Sequence, residues 1–273
     1  MDTKNETPFF SVIVVCLNAG EKLHQTIESI REQTCTDYEI VVKDGFSKDG
    51  SVEQLEARNL ERVYITREKD RSIYHAMNQA VAKATGKYLY FLNCGDFFFD
   101  KEVLQKVKEQ IETRKKAEPA IFYGNIYEVL TRQIVQSNPK INAFACYRNV
   151  PCHQACFYQR ELLREHGFMT EYSVRADYEQ FLWCYFVGHA QGVYMPLTIA
   201  RYEGGGFSET PENIRRSKKE HREVTAKYMS DTQRLWYRFL LGITFAPLRT
   251  RIASNEKTAA LYNQIKTKLY RRE

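Results

Sequence analysis

The sequence predicts an α/β fold in which parallel strands form a sheet covered by helices on both faces, followed by an appendage at the C-terminal end. Three observations predict it. Short apolar runs bounded by turn residues alternate with amphipathic stretches from Phe9 to Asn93. The first of those runs, 9–17, is continuously apolar rather than alternating, as strands buried on both faces are. The 273 residues, 43% of them hydrophobic, also suffice for a sizeable core.

The first run, 9–17, is β-branched and aromatic between Pro8 and Asn18-Ala19-Gly20, which reads as a central strand. Leu23, Ile27 and Ile30 then recur at i, i+4 and i+7 and predict a helix over 21–33. The alternation continues with a strand at 38–43, a helix at 51–58, a strand at 62–66, a helix at 72–84 and a strand at 87–93. The stretch 86–100, Gly-Lys-Tyr-Leu-Tyr-Phe-Leu-Asn-Cys-Gly-Asp-Phe-Phe-Phe-Asp, stops an apolar strand abruptly at a polar turn. Ligands of open α/β sheets gather beyond the carboxyl ends of the strands, which places Asn93 and Asp96 at the mouth of a site. Asp96 could hold a hard divalent cation that bridges phosphate oxygens, or it could cap a helix starting near Asp100. Farther along, Ala120 to Tyr127 and Val129 to Ser137 predict a hairpin or edge strands, and helices are expected at 160–166 and 176–187. Asp177 and Glu179 fall in the first turn of the last of these, where carboxylates commonly serve the helix dipole.

Neither a G-x-G-x-x-G nor a P-loop follows any strand, which removes the main support for a dinucleotide fold or a nucleotide triphosphatase. The second strand instead ends in Lys43-Asp44-Gly45-Phe46-Ser47-Lys48-Asp49-Gly50-Ser51, an acidic, glycine-rich turn. Asp44 would repel a phosphate but can accept hydrogen bonds from a base or ribose, and an ordinary Asp-Gly turn is the alternative. The seven cysteines form no C-x-x-C pair and are expected reduced and buried. Cys146, Cys152, His153 and Cys156 could in principle ligate zinc, but without a knuckle spacing buried thiols are the simpler account.

These residues resemble family 2 inverting glycosyltransferases of the GT-A fold, especially the bacterial enzymes that assemble capsule, colanic acid or O-antigen. The resemblance covers Phe9 to about Ser208. The first strand with Asn18, the turn from Asp44 to Ser51, and Glu68-Lys69-Asp70-Arg71-Ser72-Ile73-Tyr74-His75-Ala76-Met77-Asn78 look like the family's donor-binding sequence. Asn93-Cys94-Gly95-Asp96 falls where the family keeps its metal-binding Asp-x-Asp variant. His153-Gln154 and Ala176-Asp177-Tyr178-Glu179 resemble the acceptor-side motifs, and Gly204-Gly205-Gly206-Phe207-Ser208 resembles the loop that closes the catalytic domain.

The resemblance implies a mixed, mainly parallel sheet and an enzyme that moves a sugar from a nucleotide diphosphate to a glycan or lipid-linked acceptor, with inversion. Asp177 would be the general base; Asn18, Asp44 and Asp70 would hold the nucleoside, uridine by resemblance. Arg71 or Lys69 would face the diphosphate, with Asn78 and Asn93 also on the donor side and His153 and Gln154 on the acceptor side. Asp96 would bind Mg2+ or Mn2+. Two positions depart from the pattern: His75 stands where an acidic residue is common, and Asn93 replaces the first metal-motif carboxylate. Most ligands of the ion would then come from diphosphate and water. The rival readings are a catalytically silent nucleotide-sugar-binding protein and a nucleic-acid binder acting through its basic tail.

The formal charge of +6 is unevenly spread: residues 213–273 hold 15 Lys and Arg against five Asp and Glu. The expected division is therefore a catalytic domain over 1–212 and a basic helical region over 213–273. Residues 235–248 are apolar apart from Arg238 and Thr244, yet fall short of the roughly 20 residues a spanning helix needs. With Arg234, Arg249 and Arg251 around them, they suit a segment lying in an anionic membrane interface, or a helix packed on the catalytic domain. No nucleic-acid motif is visible, so no nucleic-acid partner is expected. No secretory signal is visible at the N-terminus, and the expected location is the cytoplasm, peripheral on the inner face of the membrane.

Overall fold

A computed structural model describes residues 7–114, 118–204 and 210–243; positions 205–208 of the glycine-rich loop and residues 244–273 of the tail lie outside them. The first half consists of the expected strand and helix units. Strands β1 (Phe10–Cys16), β2 (Tyr38–Asp44), β3 (Val63–Arg67) and β4 (Tyr88–Phe91) are joined by helices α1 (Glu21–Arg31), α2 (Ser51–Ala57) and α3 (Ile73–Lys83). Their registers are parallel, with Phe10 beside Tyr38 on one side and Tyr88 on the other. Side chains of β1 alternate between two cores: Val12 and Val14 join Leu23, Ile27 and Ile30 of α1, while Ile13 meets Met77 and Ala80 of α3. This sandwich makes β1 apolar on both faces, whereas the edge strand β3 leaves Tyr64 57% exposed.

The second half departs from the expected pattern. After β4 the chain forms a two-residue strand, β5 (Phe97–Phe98), and helix α4 begins at Val103 rather than near Asp100. Strands β6 (Ala120–Glu128) and β7 (Gln133–Val135) form the anticipated antiparallel hairpin, but β6 lies inside the sheet between later strands. Helix α5 (Ala143–Arg148), capped by Asn142, a short 3-10 turn (His153–Ala155), β8 (Cys156–Gln159), α6 (Arg160–Glu165) and α7 (Ala176–Phe186) follow. The twelve-residue β9 (Gln191–Tyr202) has no counterpart among the expected elements. Its register against β6 shifts between Tyr123 opposite Tyr194 and Asn125 opposite Thr198, and Pro196 sits in that irregularity.

The nine strands run in the order β3-β2-β1-β4-β8-β6-β9-β5, with β7 on β6. β4 meets β8 antiparallel and β6 meets β9 parallel, so the sheet is mixed. Helix α8 (Pro211–Tyr228), with Thr210 as N-cap and Pro211 in its first turn, crosses the expected boundary at residue 212. It buries Glu220, Val224 and Thr225, and Val224 belongs to the core shared by α3, α6 and α7. Helix α9 (Asp231–Ile243) buries no residue.

Candidate active site

Four parallel strands lead into polar residues at one edge of the sheet. Asn18 follows β1, Asp44 ends β2, Asp70 follows β3, and Asn93 and Asp96 follow β4. That is the carboxyl edge, where an open α/β sheet binds ligands.

The loops after β1 and β2 are latched together. Asn18 N donates to Ser47 Oγ at 2.8 Å, Lys48 N donates to Asn18 Oδ1 at 2.8 Å, and Gly20 N donates to Asp49 Oδ2 at 2.8 Å. Asp44 is fully buried; its Oδ1 accepts from Ser47 Oγ at 2.6 Å and its Oδ2 lies 3.7 Å from Arg67 Nε. Its carboxylate thus organises the turn from within. Asp70 lies over Gly45, where an added Cβ would come within 2.8 Å of its Oδ2, and it pairs with the buried Lys43. Lys43 was missed in the sequence, where a lysine inside a strand gives no sign that a carboxylate 27 residues later will compensate it. Arg71 is exposed beside this group.

Asn78 is placed elsewhere. Its amide donates to Phe168 O and accepts from Phe168 N, both at 2.7 Å, so both amide functions are spent in clasping α3 to the loop before α7.

The turn after β4 makes a second cluster. Asp96 is 5% exposed; its Oδ2 accepts from Gln154 Nε2 at 3.0 Å and its Oδ1 accepts from Glu203 N at 3.0 Å. These bonds join the expected metal residue to an expected acceptor-side residue, and they exclude the capping alternative for Asp96. Gly95, at φ +99°, lets Glu203 approach: an added Cβ would meet its Oε2 at 2.9 Å. Glu203 in turn pairs with Lys22 at 2.6 Å. Burial pushes the Asp96 carboxyl up, its two hydrogen bonds partly offset this, and the nearby Glu203 charge adds to the rise. A cavity of about 350 Å³ opens alongside, lined by Gly95, Phe97, Val129, Arg201 and Glu203. Glu203 was also missed, although an acid directly ahead of a glycine-rich loop is a readable signal.

Asp177 forms the third cluster. It is half-buried; its Oδ1 accepts from Tyr178 N at 2.8 Å and from Tyr74 Oη at 3.2 Å. Among the described residues Oδ2 accepts no hydrogen bond. Tyr74 stands four residues after Asp70, so one short stretch connects the first cluster to the third. His153 meets the third cluster through Phe168, on which the Tyr74 ring stacks at 5.7 Å. The His153 ring lies 4.8 Å from that of Phe91 and 5.8 Å from that of Phe168, with neither nitrogen hydrogen-bonded. Burial keeps it neutral against the opposing pull of the Asp177 charge. A run of contacts thus leads from Asp177 through Tyr74, Phe168, His153 and Gln154 to Asp96.

The zinc alternative finds no support: the cysteines are free thiols, and no group of three or more potential metal ligands occurs among the described residues. Burial pushes Cys146 and Cys152 up to about 12. For a divalent cation the donor set is Asp96 with Glu203 beside it. The described hydrogen-bond donors to Asp96 are neutral N–H groups, and Lys22, whose charge favours the ionised carboxylate, is itself paired with Glu203. The residues therefore fit an ion that draws most of its ligands from a diphosphate and water.

The sequence profile described as "Glycosyl transferase family 2" matches residues 11–167. A PGL/p-HBAD biosynthesis glycosyltransferase of Mycobacterium bovis is 34% identical over 208 residues, covering 74% of this chain and 80% of that protein. An uncharacterized glycosyltransferase of Mycobacterium tuberculosis is 26% identical over 257 residues, 91% of this chain and 96% of its own. Among solved structures, S. aureus TarS 1-349 in complex with UDP-GlcNAc superposes with a TM-score of 0.65 at 18% identity, over 82% of this chain and 69% of that one. The chain spans 41% of the longer S. aureus TarS chain. The mannosyltransferase PcManGT of Pyrobaculum calidifontis, in complex with GDP-Man and Mn2+, gives a TM-score of 0.64 at 17% identity, over 96% of this chain and 81% of its own. The fold is that of the GT-A glycosyltransferases.

Proposed function

The chain belongs to glycosyl transferase family 2, and on that premise we propose that it transfers a sugar from a nucleotide diphosphate sugar, UDP-linked, to a hydroxyl of a glycan or lipid-linked acceptor, with inversion, in cell-surface polysaccharide biosynthesis. The observation that supports this reading is the run of contacts that links Asp96, through Gln154, His153, Phe168 and Tyr74, to Asp177. It relates a carboxylate suited to the diphosphate to a carboxylate suited to a proton. Asp177 Oδ2 takes the acceptor hydroxyl proton while Tyr74 holds Oδ1. The new bond forms at the anomeric carbon as its bond to the diphosphate breaks on the opposite face. Asn18, Asp70 and the Asp44 turn shape the nucleoside end, Asn93 lines the donor side, and Arg71 compensates the diphosphate. Asn78 supports them by fixing α3. Asp96, with Glu203 beside it, would hold Mg2+ or Mn2+, and the bound ion would supply charge compensation to the leaving group.

UDP as the nucleotide is supported by the UDP-GlcNAc complex of TarS, while the GDP-Man complex of PcManGT makes GDP-mannose the competitor to test. Thermal shift across nucleotide sugars, with and without Mn2+, identifies the donor, because a ligand that binds only the native state raises Tm. Asp96→Ala is expected to abolish the Mn2+-dependent part of that shift and spare the rest. An unchanged dependence on Mn2+ in this variant removes Asp96 from the cation site.

The lipid-linked acceptor is tied to α9. Leu235, Trp236, Phe239 and Ile243 are 70%, 55%, 56% and 55% exposed. At about 100° per residue they fall within an arc of about 100°, while Tyr237 turns the other way onto Phe144 and Tyr147. No described helix is long and apolar enough to cross a membrane. We infer that this face lies in an anionic membrane interface, with Arg234 and Arg238 beside it and the catalytic domain on the cytoplasmic side. Full-length protein should sediment with phosphatidylserine-containing liposomes, and Trp236→Glu with Phe239→Glu should release it while donor binding stays intact. Sedimentation of the double variant at the wild-type level places the contact elsewhere.

A further inference from the structure

We propose that Glu220, on α8, is a positioning residue for Asp177; the proposal rests on the reading of Asp177 as the base. Helix α7 has no side-chain cap of its own, and its N-cap position is held by Arg175. Buried backbone N–H groups leading into a helix need partners. For the segment just ahead of α7 and its N-cap they come from a different helix. The Glu220 carboxylate, 5% exposed, accepts from Ser173 N at 2.9 Å, Val174 N at 2.9 Å and Arg175 N at 2.8 Å.

The connection to the base is short. Val174 O accepts from Tyr74 Oη at 2.9 Å, and the same hydroxyl is 3.2 Å from Asp177 Oδ1. Glu220 thus fixes the backbone that fixes the tyrosine that aims the carboxylate. Its neighbours on α8 hold the residues on both sides of Asp177: Ser217 Oγ accepts from Arg175 Nε at 2.8 Å, and the His221 ring stacks on Tyr178 at 5.2 Å. Lys227 reaches Glu179 at 2.6 Å. Within 173–179, α8 therefore grips 173–175, 178 and 179 and leaves Asp177 facing outward. A misplacement of about 1 Å can cost on the order of 100-fold in rate, so a carboxylate that fixes this lead-in acts on turnover more than on donor binding.

A double-mutant cycle on the full-length protein tests it, with Glu220→Gln, Asp177→Asn and the pair. The probe is whichever of UDP-GlcNAc and GDP-mannose gives the larger thermal shift, and release of nucleoside diphosphate is the readout. Glu220→Gln should lower kcat at least tenfold with donor KM within twofold. In the Asp177→Asn background the same change should cost less than twofold, because no base remains to be misplaced. Equal losses in both backgrounds, or an unchanged kcat in Glu220→Gln alone, overturn the proposal while leaving the base reading intact. Normal turnover by Asp177→Asn alone overturns the base reading, and the proposal with it. Glu220→Asp is made in parallel; failure of both Glu220 variants to fold assigns the residue to stability alone and also overturns the proposal.

Discussion

Asp177 and Glu179 stand two residues apart at the start of α7 and have opposite surroundings. Glu179 is fully buried and saturated by His166 at 2.9 Å, Lys227 at 2.6 Å and Tyr228, with His166 stacked on Trp183. Burial alone would raise its carboxyl, but these hydrogen bonds outweigh burial and hold it below the ordinary value of 4.5. A depressed carboxylate stabilises the fold above its unfolded pKa, and that contribution is lost as pH falls through the folded one. Glu179→Gln should therefore cost about 3 kcal/mol near neutral pH, as expected for breaking a buried ion pair. The gap in Tm between wild type and variant should narrow below pH 4.5; a gap independent of pH removes the charge from the account. The sequence shows both carboxylates in a helix-start position, and nothing local separates them. What separates them is α8, whose Lys227 lies 48 residues on. The residues at the strand ends were legible because strand polarity places them on one edge. Glu203 offered only the local signal of an acid ahead of a glycine-rich loop, since its partner Lys22 is 181 residues away.

At the scale of elements, the first half was legible because each strand and helix is complete within its own apolar pattern. The helix expected at 72–84 is α3 at Ile73–Lys83, and the strand expected at 9–17 is β1 at Phe10–Cys16. The second half mixes strand directions and leaves β7 and β9 half-buried, so the pattern fades. Pro196 argues locally against a strand, and only the irregular register with β6 accommodates it in β9. β5 has two residues and owes its pairing to β9, which arrives a hundred residues later. Asn78 tests an inter-element contact directly. Asn78→Ala leaves Phe168 N and O without partners and should cost about 2 kcal/mol in urea unfolding, with donor affinity within twofold of wild type. Lost donor affinity at unchanged stability puts Asn78 in the donor site after all.

At the scale of the molecule, the basic charge of the C-terminal region concealed two different helices. α8 completes the catalytic unit, through Glu220 and Val224, whereas α9 has no fully buried residue and rests Tyr237 on Phe144 and Tyr147. A chain ending after Ser230 should keep the wild-type Tm and donor binding and lose liposome binding, and one ending after Glu212 should not fold. Stable folding of the shorter chain shows that α8 is an accessory. The run of contacts from Gln154 to Tyr74 and the grip of α8 both lead to one carboxylate, Asp177. The most direct test is single-turnover sugar transfer by Asp177→Asn beside its donor affinity. Donor Kd within twofold of wild type, with transfer slowed by two orders of magnitude or more, is the expected result; transfer near the wild-type rate would contradict Asp177 as the base and reduce it to a helix-start carboxylate.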